Sequence, residues 1–350
     1  MQDIIKSARK IIDKYNSGEP IKIMEVCGSH TMAISRYGLR QILPENIKLI
    51  SGPGCPVCVT AQNEIDAVIS LAGQGITIAT FGDLIRVPGN NSSLQEERAK
   101  GKDVKVFYSP LDALEYAEAN PSKEVVFIGI GFETTIPSVA LTIKEAYTKK
   151  IKNYSVYCLH KTMPKALEAL VINGSDIQGF LLPGHVSAIT GSTIYNFLVD
   201  KYKIGGVVSG FEAQDILMSI IMILKNMENP KIEIQYKRVV REEGNTDAKK
   251  LIEEVFEDSD ATWRGLGMIE GSGLKIRDLY SEYDAEKKFH IQKPSEQIEI
   301  NGCRCGDVLM GIISPHQCPL FGKACTPVNP IGPCMVSSEG SCAAYYKYGA

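Results

Sequence analysis

The chain has 350 residues, of which 44% are hydrophobic and 23% are charged, and its formal net charge at pH 7 is −3. These values are ordinary for a globular protein long enough for two or three domains. The near-neutral charge gives no basic footprint, so no nucleic-acid partner is expected. The longest apolar run, 216–224, is too short to span a bilayer, so no membrane association is expected.

The cysteine content is the most informative part of the composition. The chain contains ten cysteines, and its first residues lack the apolar core of a signal peptide. We therefore expect a cytoplasmic protein, whose thiols stay reduced. In that compartment cysteines serve metal binding, clusters or catalysis more often than structural disulfides.

Short apolar runs alternate with helical patterns through the first 120 residues. The pattern predicts strands at 21–26, 47–50, 76–80 and 104–108, and helices at 32–42, 60–71 and 110–119. The same rhythm restarts after Asn120-Pro-Ser, with strands at 125–130, 154–159, 180–182 and 207–209. Strands that alternate with helices favour parallel sheets. We therefore predict two doubly wound α/β domains, at 1–120 and 121–230.

The pattern changes from about residue 232, where the chain becomes rich in glycine, proline and cysteine. The segment 231–350 is therefore predicted to be a third, loop-rich domain. Six of the ten cysteines lie between positions 303 and 342. A loop-rich tail of this size needs a covalent or metal cross-link to become ordered.

Polar groups capable of chemistry come directly after predicted strands. They are Cys27, His30, Cys55, Cys58, Asp83, Glu133, His160, His185 and Glu212. In an open parallel sheet such loops meet beyond the carboxyl ends of the strands, so two facing domains would enclose a cleft lined by these groups. Because polar residues favour loops anyway, the pattern also fits a chain without a shared site.

Cys55 and Cys58 are three positions apart, between a predicted strand and a helix N-terminus that favours a thiolate. The spacing suits a redox dithiol, in which one thiolate attacks a disulfide and the other resolves the product. Two alternatives remain: a tetrahedral zinc site completed by Cys27 and His30, or a pair of inert buried thiols. His30 can also lower the pKa of Cys27 or bind a metal beside it.

The C-terminal cysteines suit a metal centre. Four of them are separated by 14, 6 and 16 intervening residues, and two more lie nearby; the six are Cys303, Cys318, Cys325 and Cys342, with Cys305 and Cys334. Four thiolates suit an iron–sulfur cluster or a structural zinc ion. Because six candidates compete for four places, the spacing alone does not choose the ligands.

Glu133 can serve as a ligand or an acid–base group, and Thr134 and Thr135 can donate hydrogen bonds to an anion where a helix starts. Ordinary helix caps explain these residues equally well. The chain contains neither GxGxxG nor GxxxxGK[ST], so no fingerprint supports nucleotide binding.

Long motifs in the chain resemble those of a known family. They are Glu25-Val-Cys-Gly-Ser-His-Thr31, Ser51-Gly-Pro-Gly-Cys-Pro-Val-Cys58, Gly131-Phe-Glu-Thr-Thr135, Pro183-Gly-His-Val-Ser187 and the stretch from Cys325 to Gly340. These are similar to the signature motifs of the HypD family, the scaffold factors of [NiFe]-hydrogenase maturation. The motifs cover nearly the whole chain in the family's order.

The resemblance implies an α/β fold with two Rossmann-like parallel-sheet domains facing a cleft, followed by a C-terminal loop-rich [4Fe-4S] domain. The implied cluster ligands are Cys303, Cys318, Cys325 and Cys342. Cys27 matches the thiol that holds the iron of a transient Fe(CN)2CO group. Cys55 and Cys58 match a dithiol resembling that of ferredoxin–thioredoxin reductase, fed with electrons by the cluster. Met32 stands where some family members carry a second histidine, which argues against a second imidazole ligand beside Cys27.

The resemblance also implies partners: the small chaperone HypC, HypE with cyanide made by HypF, and the hydrogenase large subunit through HypC. We therefore expect a scaffold for iron assembly with its own redox capacity. Glu133, Thr134, Thr135 and His185 lie in the family motifs and are further candidate site residues. A cluster-linked protein disulfide reductase is the alternative function, and a zinc-stapled interaction module is a third.

Overall fold

The computed structural model describes residues 10–15, 18–174, 176–294 and 302–349. The strands in these ranges are β1 (Ile21–Glu25), β2 (Ile47–Ser51), β3 (Thr77–Thr80), β4 (Val104–Val106), β5 (Val125–Gly129), β6 (Tyr154–Cys158), β7 (Gly179–Pro183), β8 (Gly205–Ser209), β9 (Ile232–Ile234), β10 (Phe256–Trp263) and β11 (Gly267–Ile276).

The helices in the same ranges are, up to β7, α1 (Gly28–Arg36), α2 (Leu39–Ile42), α3 (Pro56–Val59), α4 (Gln62–Ala72), α5 (Leu94–Ala99), α6 (Pro110–Ala119), α7 (Ile136–Lys149) and α8 (Met163–Ile172). After β7 they are α9 (Gly184–Thr190), α10 (Asn196–Tyr202), α11 (Ala213–Lys225), α12 (Thr246–Val255), α13 (Ala285–Lys288), α14 (Cys305–Leu309), α15 (Pro333–Val336) and α16 (Ser341–Tyr348). None of the helices in the described ranges combines the length and apolar character that crossing a membrane requires.

Two parallel sheets form the framework. The first sheet has five strands in the order β2-β1-β7-β8-β9, and the second has four in the order β4-β3-β5-β6. Neighbouring strands in both sheets run parallel. Strands such as β5 and β7 are buried along their whole length, as parallel strands covered on both faces should be. The predicted α/β class with two parallel sheets is confirmed.

The predicted grouping of the strands is wrong. The chain leaves the first sheet after β2, builds the whole second sheet from β3 to β6, and then returns with β7, which pairs with β1. The boundary at residue 120 therefore falls inside the second sheet. Both sheets consist of similar apolar strands, so the alternation of strands and helices indicates parallel pairing but does not specify which strands are neighbours.

The boundary at residue 231 does not separate the sheets from the tail either. β9 belongs to the first sheet, and β10 pairs with β11 in an antiparallel hairpin. The hairpin packs on the second sheet, where the Cys158 thiol donates to Leu274 O at 3.1 Å and Phe256 shares a core with Phe127. The loop-rich, cysteine-bearing part is thus confined to residues 302–349 of the described tail. The facing cleft between the two sheets stays a prediction.

Candidate metal and thiol site

Cys27 follows β1 and is the N-cap of α1, so it lies at the carboxyl edge of the first sheet. The loop after β2 touches it: the Gly28 N–H donates to Gly54 O at 3.0 Å, and a Cβ on Gly54 would lie 2.4 Å from the Cys27 nitrogen. Since Gly54 directly precedes Cys55, Cys27 and the dithiol lie on neighbouring loops. Burial raises the pKa of the Cys27 thiol to about 12, so this thiol is protonated at neutral pH in the absence of a bound cation.

Glu339 lies beside Cys27, and the analysis of the sequence did not identify it as a site residue. The Ser29 hydroxyl donates to Glu339 Oε1 at 2.9 Å, and a Cβ on Gly28 would lie 2.4 Å from the Glu339 Cβ. After burial, this carboxylate is the strongest influence that raises the pKa of the Cys27 thiol. The signal available in the sequence was its position inside the C-terminal family motif.

The segment around Glu339 also reaches the second sheet. The hydroxyls of Ser337 and Ser338 donate to Asp83 Oδ2 at 2.9 and 3.2 Å, and Asp83 follows β3. One C-terminal loop therefore contacts a strand-end loop of each sheet. This explains why Asp83, one of the polar residues after predicted strands, lies near the cysteine-rich tail.

His30 lies in the first turn of α1 and is fully buried. Its Nε2 lies 3.0 Å from Gly210 O and 3.3 Å from Ser209 O. Carbonyl oxygens only accept hydrogen bonds, so Nε2 carries the proton and Nδ1 keeps a lone pair. Nδ1 has no hydrogen-bond partner among the described residues. Burial lowers the pKa of His30 to about 4, so at neutral pH the imidazole is uncharged and can offer Nδ1 as a ligand or acceptor.

Phe211 connects the two predicted histidines in a stack of three rings. Its ring centroid lies 4.7 Å from that of His30 and 3.9 Å from that of His185. His185, at the start of α9, is exposed to solvent, and partial burial lowers its pKa. His185 therefore stacks on the ring that packs against His30. Phe211 was not predicted as a site residue, although the second Gly-Phe-Glu, at 210–212, marked the loop.

Cys55 and Cys58 form a disulfide at the start of α3, and the Cys58 N–H also donates to Cys55 Sγ at 3.1 Å. Both residues are buried. Across residues 10–15, 18–174, 176–294 and 302–349, the C-terminal cysteines included, no three His, Cys, Asp or Glu side chains are placed to hold a single metal ion. The disulfide is the pairing that the redox interpretation requires, whereas the zinc site with Cys27 and His30 would need both sulfurs as free thiolates.

The disulfide gives a direct test of the redox interpretation. We expect peptide mass mapping after mild oxidation to find Cys55 linked to Cys58, and reduction to release both thiols, because the folded backbone already brings the two sulfurs together. The partly buried free thiol of Cys158 serves as the internal control, since it should stay unpaired throughout. Free thiols at both positions after oxidation, with zinc bound in stoichiometric amount, would support the zinc site instead.

Glu133 is buried at the carboxyl edge of the second sheet. Its Oε1 accepts a hydrogen bond from the Met163 N–H at 2.9 Å, and its Oε2 has no partner among the described residues. Burial raises the pKa of Glu133 to about 7. Thr135 is the N-cap of α7, but its hydroxyl donates backwards to Phe132 O at 3.2 Å, and Thr134 is exposed. Of these three motif residues, Glu133 is the one that has a buried oxygen still able to accept a hydrogen bond.

Replacing Glu133 by glutamine should change how stability depends on pH. An acid whose folded pKa is raised from 4.5 to about 7 contributes stability that is present below pH 4.5 and lost as the pH rises through 7. The glutamine variant does not titrate and therefore does not lose this stability. The free energy of unfolding of the variant minus that of wild type should therefore increase by up to about 3 kcal/mol between pH 5 and pH 8. Urea unfolding at both pH values measures this difference, and parallel pH profiles of the two proteins would contradict it.

The six C-terminal cysteines line one cavity. They share it with apolar side chains; the lining includes Cys303, Cys305, Cys318, Cys325, Cys334 and Cys342, with Val308, Leu320, Phe321 and Met335. The sulfurs of Cys305 and Cys334 lie 2.7 Å apart, so these two face each other. The four others are the set that the family spacing implies.

The side chains that line the cavity are of the kind that an iron–sulfur cluster requires as ligands and surroundings. Thiolate sulfurs in an apolar surrounding are the ligands that such clusters use. A Cβ on Gly332 would lie 2.7 Å from the Cys303 sulfur, so only glycine leaves that sulfur its space. Burial raises the pKa of Cys303 to about 12, so at neutral pH the Cys303 thiolate requires a neighbouring positive charge such as that of a metal centre. The zinc alternative for the tail uses the same donors.

The dithiol lies next to this cavity. The helix α3, which begins after Cys55 and contains Cys58, packs against both α14 and α15. Those two helices carry Cys305 and Cys334. Both cysteines belong to the same continuous apolar core as Cys55 and Cys58. The fold therefore brings the two predicted sulfur sites into contact.

Two of the residues that follow strands lie outside this arrangement. His160 is buried after β6, with its Nδ1 3.5 Å from the Cys158 sulfur. Glu212 caps α11 and donates its N–H to Asp215 Oδ2 at 3.3 Å. Glu212 thus has the helix-capping role that was the alternative for the Gly-Phe-Glu motifs.

Comparison with known proteins places the chain in a family. The sequence model of HypD, described as the hydrogenase formation hypA family, matches residues 2–349. The chain is 44% identical over 339 residues to the hydrogenase maturation factor HypD of Escherichia coli (strain K12), covering 95% of this chain and 91% of the relative. It is 46% identical to HypD of Rhodobacter capsulatus, covering 95% and 90% of the two chains. A putative hydrogenase expression/formation protein of Methanocaldococcus jannaschii is 45% identical, with 97% and 96% covered. The chain belongs to the HypD family of hydrogenase maturation factors.

Proposed function

We propose that this chain is a scaffold on which the Fe(CN)2CO group of [NiFe]-hydrogenases is assembled, and that its own thiols supply redox capacity for the assembly. The observation that carries the proposal is the contact between the Cys27 loop and the loop of Cys55 and Cys58, with the dithiol helix packed against the cysteine cavity. These contacts support the proposal because the Cys27 thiol, the disulfide and the cysteine cavity are neighbours in the fold.

In this proposal Cys27 holds the iron, which is cargo and not a resident cofactor. Iron binding requires the thiolate, so the buried thiol must release a proton as the metal binds. His30 lies in the same turn, and its free Nδ1 faces no competing donor among the described residues. It can therefore accept a hydrogen bond or support the metal from the side, while the Gly210 and Ser209 carbonyls keep its ring oriented.

The proposed resident cofactor is a [4Fe-4S] cluster held by Cys303, Cys318, Cys325 and Cys342. When bound, such a cluster supplies electrons one at a time. The chain's own part is to hold Cys55 and Cys58 as a closed pair beside the cavity. Reduction of their disulfide consumes two electrons and two protons and yields two thiols.

The proposed partners follow from the family. HypC shares the iron with Cys27 and delivers it to the hydrogenase large subunit, and HypE supplies the cyanide made with HypF. The names of the relatives in Escherichia coli and Rhodobacter capsulatus, hydrogenase maturation factors, support this setting. We propose that the protein acts in the cytoplasm.

A second function, a cluster-linked protein disulfide reductase, is favoured by the position of the disulfide against the cysteine cavity. Infrared spectroscopy and iron analysis of the protein co-purified with HypC separate the two. The scaffold predicts bands of metal-bound cyanide and carbon monoxide and more iron than one cluster accounts for. Iron equal to one cluster, no such bands, and electron delivery to a partner's disulfide would favour the reductase.

A further inference from the structure

The tip of the β10–β11 hairpin, residues 263–267, lies against the end of the dithiol helix α3. The backbone N–H of Arg264 donates to Val59 O at 2.8 Å. Its guanidinium adds two bonds, from Nε to Thr60 O at 3.2 Å and from Nη2 to Gln62 Oε1 at 3.1 Å. One residue of the hairpin tip thus holds the last carbonyls of the helix that carries the disulfide.

The other side of the hairpin tip touches the cysteine-rich tail. Gly265 has a φ of +85°, and a Cβ added to it would lie 2.6 Å from the Gly306 Cα. Arg264 and Gly265 also line a small cavity together with Cys303 and Cys305. The hairpin tip therefore lies between the dithiol helix and the cysteine cavity. Its backbone contacts Val59 on one side and Gly306 on the other.

The charge of Arg264 is not neutralised by its hydrogen-bond partners. Its guanidinium donates to one carbonyl and one amide oxygen, and in the described part of the chain it forms no ion pair with a carboxylate. A half-buried positive charge at the end of the helix that carries the dithiol favours the form of the dithiol with more negative charge. A disulfide is neutral and a reduced pair can carry a thiolate, so the favoured form is the reduced one.

We infer that Arg264 is a positioning residue for the Cys55–Cys58 couple: it fixes the dithiol helix against the cysteine cavity and favours reduction of the disulfide. The inference rests on the proposed redox role of the dithiol and adds to it a residue from a different structural unit. The reaction that reports on it is exchange with dithiothreitol. The protein disulfide gains two electrons and one proton and becomes a thiol and a thiolate, while the two thiols of dithiothreitol become a cyclic disulfide and release the second proton to the solvent.

The test measures the equilibrium constant of this exchange in the full-length protein, by alkylation and mass mapping of the peptide that contains Cys55 and Cys58. Arg264→Gln keeps a hydrogen-bonding amide but removes the charge, and it should lower the constant by about fivefold. Arg264→Lys keeps the charge and should stay within about twofold of wild type. The matched control is Arg304→Gln, because the Arg304 guanidinium lines the same cavity but pairs with Asp307; its constant should equal that of wild type.

Each outcome decides between the proposals. An unchanged constant in Arg264→Gln, with a wild-type disulfide that cycles normally, overturns the inference and leaves the proposed function intact. A constant lowered equally in Arg264→Gln and Arg304→Gln also overturns it, because the effect is then not specific to the hairpin tip. A wild-type disulfide that dithiothreitol does not reduce overturns the redox role of the dithiol itself, and the inference with it.

Discussion

Replacing Cys27 by serine is expected to abolish the infrared bands of metal-bound cyanide and carbon monoxide while leaving the fold and the cluster in place. Cys27 is the N-cap of α1, a position that serine occupies at least as well. The two side chains are nearly isosteric, so the contact between the Cys27 loop and Gly54 should survive. A serine hydroxyl does not replace a thiolate as a ligand for this iron, and maturation of hydrogenase should therefore fall to background.

The measurement is infrared spectroscopy of Cys27→Ser co-purified with HypC, alongside hydrogenase activity in cells that carry the variant. Cys158→Ser is the matched control, because its thiol is also shielded but lies at the end of β6, outside the proposed site. His30→Ala should weaken the bands without abolishing them, because a neighbouring imidazole orients a metal site more than it holds the metal. Bands that persist in Cys27→Ser would move the assembly site to Cys55 and Cys58.

Replacing Cys325 by alanine should remove the visible absorption of the proposed cluster completely. The tail between 302 and 349 consists of short helices joined by loops, and in the described residues its cysteines gather around one cavity. The proposed cluster would lose one of its four thiolate ligands in this variant, and we expect that it is not retained. The tail should then lose order as well, which limited proteolysis measures as cleavage between 302 and 349. Cys318→Ala should behave in the same way.

The control variants for the cluster are Cys305→Ala and Cys334→Ala. Their sulfurs face each other at 2.7 Å, and neither belongs to the four-cysteine set that the family spacing implies. Both variants should keep the cluster absorption. Absorption that survives in Cys325→Ala, or that disappears in Cys305→Ala alone, would show that the proposed ligand set is wrong.

The sequence predicted those features that depend only on neighbouring residues in the chain. Parallel strands follow from apolar runs that alternate with helices, and the strand-end positions of Cys27, His30 and Cys55 follow from where those runs stop. Residues of this kind meet because the carboxyl ends of neighbouring parallel strands share one edge. The contact between Gly28 and Gly54 is a direct result of that geometry.

The unpredicted features all join parts of the chain that are far apart in sequence. Ser29 binds Glu339, and Phe211 stacks on His30. Arg264, more than two hundred positions after Thr60, holds the dithiol helix. None of these contacts changes the local composition or periodicity around either partner. A pattern read from one short stretch of sequence therefore does not indicate them. The order of the strands in the first sheet was unpredictable for the same reason.

The strand order delays the completion of the first sheet while the chain is being synthesised. β1 pairs with β2 on one side and with β7 on the other, and β7 begins only at Gly179, after the whole second sheet. At a synthesis rate of about 5–20 residues per second, β1 waits on the order of ten seconds for its second partner. Throughout that interval a strand that is buried in the finished protein has an unpaired apolar edge. We therefore expect that expression at lower temperature or with added chaperone raises the soluble yield of this protein.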